Sequence, residues 1–256
     1  QHAPAVAVPD AEAADGWRML RGDEVGALLA THLVHKRARG TFATTIVSSS
    51  LLSKIARAGG LAYEETLTGF KWLVRVPELR YAYEEALGYC VDPDGVNDKD
   101  GITAALLVAE LAAELKQADR TLSGLLDDIA VEYGLHATDQ LSVRVEDLSL
   151  IGAAMERLRS RAPSSLAGLA VASAEDLTAG SPALPPTDGL RYHLAGSGEV
   201  GSGRVVVRPS GTEPKLKCYL EVVLPVADPA GLARARARAA EVLAEVKADL
   251  RTATGL

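Results

Sequence analysis

The sequence predicts an α/β fold followed by a small α+β domain, and three observations carry that reading. Residues 41–48 are rich in β-branched side chains, 51–58 repeat at helical spacing up to Gly59-Gly60, and 61–66 are again strand-like. Strand, helix and strand at this spacing form a parallel βα unit. Later, strand-like runs at 190–194, 200–207 and 216–222 follow one another without an intervening helix. A long helix over 230–250 then closes the pattern, with Ala239, Val242, Leu243, Val246 and Leu250 on one face.

Taken in order, Ala5-Val6-Ala7-Val8 reads as a short strand, followed by an acidic, alanine-rich turn and a second short strand at 17–20. Gly22-Asp23-Glu24 opens a helix carrying Val25, Leu28, Leu29, His32 and Leu33, with its acidic residues in the first turn. A short helix or turn is expected near 68–72, and a polar loop at 92–100. Asp100 is the natural N-cap of an amphipathic helix over 101–116. Further helices are expected at 122–133 and 146–161, with strands at 140–145 and 168–172. Residues 163–186 are rich in Pro, Ser, Gly and Ala, and loose connecting structure is expected around 178–188. The pattern places a domain boundary near Val145.

The chain has 256 residues, 48% hydrophobic and 24% charged, enough for two domains or three small ones. Phe, Met and Trp number only 2 each, so Leu, Val and Ala must fill the cores. A net charge of −7 argues against nonspecific nucleic-acid binding and leaves anion recognition to local basic sites. No apolar run is long enough to span a bilayer, and no basic-then-apolar leader is present. Cys90 and Cys218 read as free thiols of a cytoplasmic protein. The chain begins with Gln1 and not Met, and is read as a piece of a longer protein.

The densest chemistry lies at Arg208-Pro209-Ser210-Gly211-Thr212-Glu213-Pro214-Lys215, a tight loop between two strands. The prolines stiffen it. Gly211 is expected to permit a turn other residues resist and to bare its amides. Arg208 offers a forked donor for phosphate, and Ser210 and Thr212 add hydroxyls. The bland alternative is a hairpin turn whose polar residues face water. His32 and His35 sit three apart on one helix, but no further metal ligands are evident beside them. Asp92-Pro93-Asp94-Gly95 fails as a calcium loop because Val96 and Asn97 occupy the positions that need an oxygen ligand and Gly. No metal site is expected.

Four motifs together, Thr-Gly-Phe-Lys at 68–71, Glu-Glu-Ala-Leu-Gly at 84–88, Asp-Lys-Asp-Gly at 98–101 and the loop at 208–215, resemble the α-D-phosphohexomutases. That superfamily comprises phosphoglucomutases, phosphomannomutases and phosphopentomutase relatives. The resemblance implies the C-terminal portion: the end of domain two in 1–39, a complete three-layer α/β domain three with a mixed sheet in 40–145, and a small TBP-like α+β domain four in 146–256. It implies that Arg208, Ser210, Gly211 and Thr212 form a phosphate-binding loop supported by Lys217. Glu84 would accept hydrogen bonds from sugar hydroxyls, Lys99 would serve proton transfer or charge support, and Lys71 would lie near the substrate phosphate. Lys71 as a surface lysine, Asp100 as only a helix cap and Glu85 as a solvated neighbour remain the alternatives. Ala86 stands where the family often has Ser, which resembles the phosphopentomutase branch and some bacterial hexose mutases.

The resemblance also implies Mg²⁺ and a glucose 1,6-bisphosphate-type activator in the full-length enzyme. The family's phosphoserine and its Asp-x-Asp-x-Asp metal loop have no counterpart in this sequence. The expected partner is a phosphorylated sugar, with no nucleic acid and no membrane; the sequence assigns no oligomeric state. A non-catalytic phosphosugar-binding module is the alternative to half of a mutase.

Overall fold

A computed structural model describes residues 4–11 and 13–256 of the chain. Residues 1–3 and Glu12, the latter in the expected acidic turn, lie outside the described residues. The chain divides into two units, Gln1–Ile129 and Ala130–Leu256.

The first unit opens with an antiparallel hairpin, β1 (Ala7–Pro9) and β2 (Trp17–Met19), in which Val8 faces Arg18. It continues through α1 (Gly22–His35), β3 (Thr41–Thr45), α2 (Leu51–Ala58), β4 (Ala62–Thr66), α3 (Phe70–Leu73), β5 (Leu79–Glu84), β6 (Gly88–Cys90) and α4 (Gly101–Gln117). The next helix, α5 (Leu122–Tyr133), spans the division between the units. The four-stranded sheet has the order β4-β3-β5-β6. Strand β3 runs parallel to both neighbours and β6 antiparallel to β5, which makes the sheet mixed as expected. All five residues of β3 are buried, as a central strand covered on both faces requires.

Alternation along these strands sorts side chains to two faces. On one face Ala43, Ala82 and Cys90 pack against Phe70 and Leu73 of α3. On the other, the rings of Phe42, Tyr81, Tyr83 and Tyr89 follow one another at centroid spacings of 5.3, 6.1 and 6.3 Å. Their hydroxyls anchor α1: Tyr81 donates to the Gly26 carbonyl (2.9 Å), Tyr83 to Asp23 Oδ1 (3.0 Å) and Tyr89 to the Gly22 carbonyl (3.0 Å). A Cβ on Gly22 would lie 2.0 Å from the Glu85 carbonyl oxygen, so only glycine permits this approach. Helix, sheet and helix thus form three layers. Because α1 is tied to β5 and β6, the boundary expected after residue 39 has no counterpart in the division of the chain. Asp100 caps α4 as expected, accepting from the amides of Ile102 (3.1 Å) and Thr103 (3.0 Å).

The second unit comprises β7 (Leu135–Arg144), α6 (Ser149–Ser160), β8 (Ser165–Leu166), β9 (Leu169–Asp176), β10 (Leu190–Ser197), β11 (Val200–Pro209), β12 (Lys215–Leu224) and α7 (Leu232–Thr254). Its six strands take the order β7-β12-β11-β10-β9-β8, and every neighbouring pair is antiparallel. Tyr192, Val205, Val207, Cys218 and Leu220 share a core with Met155 and Leu158 of α6 and Val242, Leu243 and Leu250 of α7. The left-handed Gly255 (φ +67°) stops the last helix. This is the small α+β domain the sequence predicts.

The sequence boundary near Val145 moves. Strand β7 begins at Leu135 and pairs with β12 along its length, from Leu135↔Leu224 to Arg144↔Lys215. A strand hydrogen-bonded in this way belongs to the sheet of the second unit. Among the described residues, no helix is long and apolar enough to cross a membrane.

Candidate functional site

In the first unit, β5 delivers Glu84 to the mouth of a tight turn whose tip, Leu87, is left-handed (φ +62°). Glu84 faces Gly88 across the β5–β6 pair. Its Oε1 accepts from the Gly69 amide at 2.7 Å, and its Oε2 lies 3.7 Å from Lys99 Nζ. The Lys99 ammonium also stands 5.1 Å from the centre of the Phe70 ring. Gly88 leaves the space these three side chains occupy: a Cβ there would lie 2.8 Å from Phe70, 3.0 Å from Lys99 and 3.3 Å from Glu84. The Glu84 side chain is 14% exposed and that of Lys99 35%, a carboxylate and an ammonium both open at one side. A carboxylate so held has lone pairs left for hydroxyl donors. Lys71 is not brought to this pair; it is exposed on α3, and its ammonium sits 5.6 Å from the centre of the Trp72 ring.

Glu85, expected as a solvated neighbour, is tucked inward instead. Its Oε2 accepts from Ser48 Oγ (2.9 Å), while its backbone N–H donates to that same oxygen (3.2 Å). Burial first, then the negative charge of Asp23, push the Glu85 carboxyl up to about 7. Asp23 is itself buried and accepts from the Ser49 amide (2.7 Å) and the Tyr83 hydroxyl. This buried cluster behind the Glu84 turn was missed by the sequence reading. Its one signal was the adjacent pair Ser48-Ser49 in the buried turn after β3.

In the second unit the loop at 208–215 joins β11 to β12. Arg208 and Lys217 are register partners, so their side chains rise from one face, opposite the core residues Val207 and Cys218. The loop is closed by Ser210 N–H donating to the Lys215 carbonyl (2.9 Å) and fixed from outside by Val145 N–H donating to the Pro214 carbonyl (3.0 Å). Glu213 is held by Lys215 (2.7 Å) and Arg144 (2.8 Å), and the Lys215 ammonium above all holds its carboxyl below the usual range. Among the described residues no carboxylate pairs with Arg208 or Lys217. Gly211 and Thr212 are exposed at the tip. The conformational reason given for Gly211 fails: its φ is not left-handed, and a Cβ would meet nothing within 4 Å. What remains is a bare, exposed amide.

In the polar loop at 92–100, Asp92 Oδ1 is turned onto the Gly95 amide (3.4 Å) and Asp98 Oδ1 onto the Lys99 amide (2.7 Å). Cys90 and Cys218 are free and buried, with burial pushing their thiols up to about 11 and about 12, which disfavours the thiolate.

With this geometry in place, comparison with known proteins is informative. Residues 21–133 match the family model described as phosphoglucomutase/phosphomannomutase, alpha/beta/alpha domain III, and residues 197–239 match that for the C-terminal domain. A probable phosphomannomutase of Haemophilus influenzae is 43% identical over 219 residues, covering 85% of this chain and 43% of that protein. A phosphopentomutase of Pongo abelii is 34% identical, covering 86% and 40%. A phosphoglucomutase of Staphylococcus aureus is 32% identical, covering 80% and 40%. The chain therefore spans about two fifths of the length of these curated relatives. Among solved structures, a Paramecium phosphoglucomutase in its open form superposes with a TM-score of 0.64 at 20% identity, covering 92% of this chain and 42% of that one. A putative phosphomannomutase from Thermus thermophilus gives 0.57 at 21%, covering 94% and 46%. Both share the fold.

Proposed function

We propose, from the premise that this chain belongs to the phosphoglucomutase/phosphomannomutase family, that it supplies the sugar- and phosphate-binding elements of a phosphosugar mutase. The reaction interconverts hexose 1-phosphate and hexose 6-phosphate, of glucose or mannose, through a bisphosphorylated intermediate in the cytoplasm. Glu84 accepts sugar hydroxyls, Lys99 supports charge or moves a proton, and Arg208 with Ser210, Gly211, Thr212 and Lys217 grips the phosphate that stays in place. Lys71 contributes positive charge near the substrate phosphate. The phosphoserine, the Mg²⁺ loop and the response to a bisphosphorylated activator belong to another segment of the full-length enzyme. The observation that carries the reading is the Glu84 carboxylate, fixed between the Gly69 amide and Lys99 yet open on one side. Phosphoryl transfer depends mainly on positioning and charge stabilisation, which is the work such groups do. Ala86 and the phosphopentomutase relatives favour one second reading, a pentose phosphate substrate.

Calorimetric titration of the chain with glucose 1-phosphate, mannose 1-phosphate, ribose 1-phosphate and inorganic phosphate tests this. Arg208→Ala should weaken sugar-phosphate binding about ten- to hundredfold, the worth of a charge-assisted hydrogen bond. Glu84→Gln should lower affinity for the sugar phosphates while leaving inorganic phosphate nearly unchanged. Unaltered affinities in both variants would reduce the loop and the carboxylate to plain turns. The chain alone, given Mg²⁺ and glucose 1,6-bisphosphate, should not turn over glucose 1-phosphate; robust conversion would refute the assignment of the transfer machinery to another segment.

A further inference from the structure

The motifs above leave one cluster unused, on α1 and α4 of the first unit. His32 is 1% exposed, and its Nε2 is buried without a hydrogen-bond partner. A buried imidazole nitrogen left unpaired is costly, so a native one calls for an explanation. The nitrogen points toward carboxylates: Nε2 lies 3.7 Å from Glu110 Oε2, and Nδ1 lies 3.9 Å from Glu114 Oε2. Glu110 and Glu114 are one helical turn apart on α4, which puts both on the face turned to His32. One ligand atom from each of the three lies within 4.8 Å of the others. The cation now on these carboxylates is Lys36, the C-cap residue of α1 four positions after His32, at 2.8 Å from Glu110 Oε1 and also bonded to Glu114. His35 does not join the group.

We propose that this cluster is a site for a divalent transition-metal ion of the zinc class, ligated by His32, Glu110 and Glu114, for which the Lys36 ammonium is the resident competitor. One imidazole with two carboxylates suits zinc-class ions better than Mg²⁺, which prefers an all-oxygen shell and keeps its waters. Zinc bonds of about 2 Å set tetrahedral ligand atoms roughly 3.3 Å apart. The carboxylates must therefore close by up to about 1.5 Å. They are free to do so: both glutamates are nearly half exposed, and Lys36, 43% exposed on a flexible stem, can swing into water. His32 is the fixed ligand and needs no movement. Such an ion braces α1 to α4 and stabilises the first unit by linkage, because the unfolded chain does not gather these three ligands. The site is separate from the Glu84 turn and from the loop at 208–215, and the inference does not depend on the mutase reading.

The test uses the tag-free full chain, stripped with a chelator and then titrated with Zn²⁺ by calorimetry and with Co²⁺ by visible absorption, alongside thermal melts. The native chain should bind zinc saturably with a rise in Tm and show the d–d bands of tetrahedral Co²⁺. The Glu110→Gln/Glu114→Gln variant, altered only at exposed positions, should lose at least about tenfold in affinity and most of the shift. Lys36→Ala should bind about tenfold tighter, which a merely structural histidine would not produce. His32→Ala should abolish the cobalt bands, with circular dichroism confirming its fold. The proposal is overturned if zinc neither binds saturably nor raises Tm, or if both effects survive unchanged in the double glutamine variant.

Discussion

At the scale of single residues, Glu85 makes the most specific demand on experiment. Its carboxyl is pushed up to about 7 from an ordinary 4.5, chiefly by burial and next by Asp23. The folded chain therefore holds more protons than the unfolded chain between roughly pH 4.5 and 7. The stability this group contributes is fully present below the lower value and is lost as pH rises through the upper one. Because the half-buried carboxyl keeps some contact with water, the loss should be on the order of 1–3 kcal/mol. Glu85→Gln keeps the acceptor for Ser48 and removes the titration. Denaturant melts at pH 5 and pH 8 should show the native chain losing stability relative to the variant; parallel pH profiles would dismiss the buried-proton account. Glu84 and Lys99 could be singled out in the sequence because their motifs are local, and the structure brings them to 3.7 Å. Glu85 was not, because what surrounds it, Asp23 and Ser48, arrives from α1 and the turn after β3. In isolation two adjacent glutamates look solvated.

At the scale of elements, the start of α1 is fixed by close approach. A Cβ on Gly22 would sit 2.0 Å from a backbone oxygen of the Glu84 turn, and backbone cannot give way as a flexible side chain can. Gly22→Ala should therefore displace helix or turn at a cost of about 3 kcal/mol. A loss below about 1 kcal/mol in urea melts would show that the contact is softer than the geometry implies. Asp100→Ala removes two amide acceptors from α4 and should cost about 1 kcal/mol, with Asp100→Asn recovering most of it in the same melts. An unchanged midpoint for Asp100→Ala would show that water replaces the cap. Elements with many turns of regular spacing, α4 and α7, were readable from periodicity. Strand β6 was not, since its three residues hold too little pattern. The first half of β7, Leu135-His136-Ala137-Thr138-Asp139, was missed because its polar positions carry no strand signal until the partner strand is known.

At the scale of the whole molecule, β7 decides where the chain can be divided. It is an outer strand of the six-stranded sheet, and it covers all of β12, from Lys215 to Leu224. Its Leu141 lies in the core beneath α6 and α7, with Leu135, Ala137 and Val143 packed against it. A segment 130–256 retains that strand. A segment 146–256, cut at the composition boundary, loses it. The shorter piece bares the hydrogen-bonding edge of a long apolar strand, Leu216-Lys217-Cys218-Tyr219-Leu220-Glu221-Val222, which is a template for pairing between chains. It also opens the core beside Cys218 and Leu220. Segment 130–256 should remain monodisperse on gel filtration and melt in one cooperative transition, while 146–256 should aggregate or melt without cooperativity. The converse result, a well-behaved 146–256, would show that the hydrogen bonds to β12 contribute little and that the domain begins where composition changes. The same pairing bears on the candidate phosphate loop. Val145 N–H, just beyond β7, donates to the Pro214 carbonyl, and Arg144 holds Glu213, so the loop is shaped partly by this strand. Removing β7 should therefore weaken sugar-phosphate binding even in any fraction of the shorter segment that stays soluble.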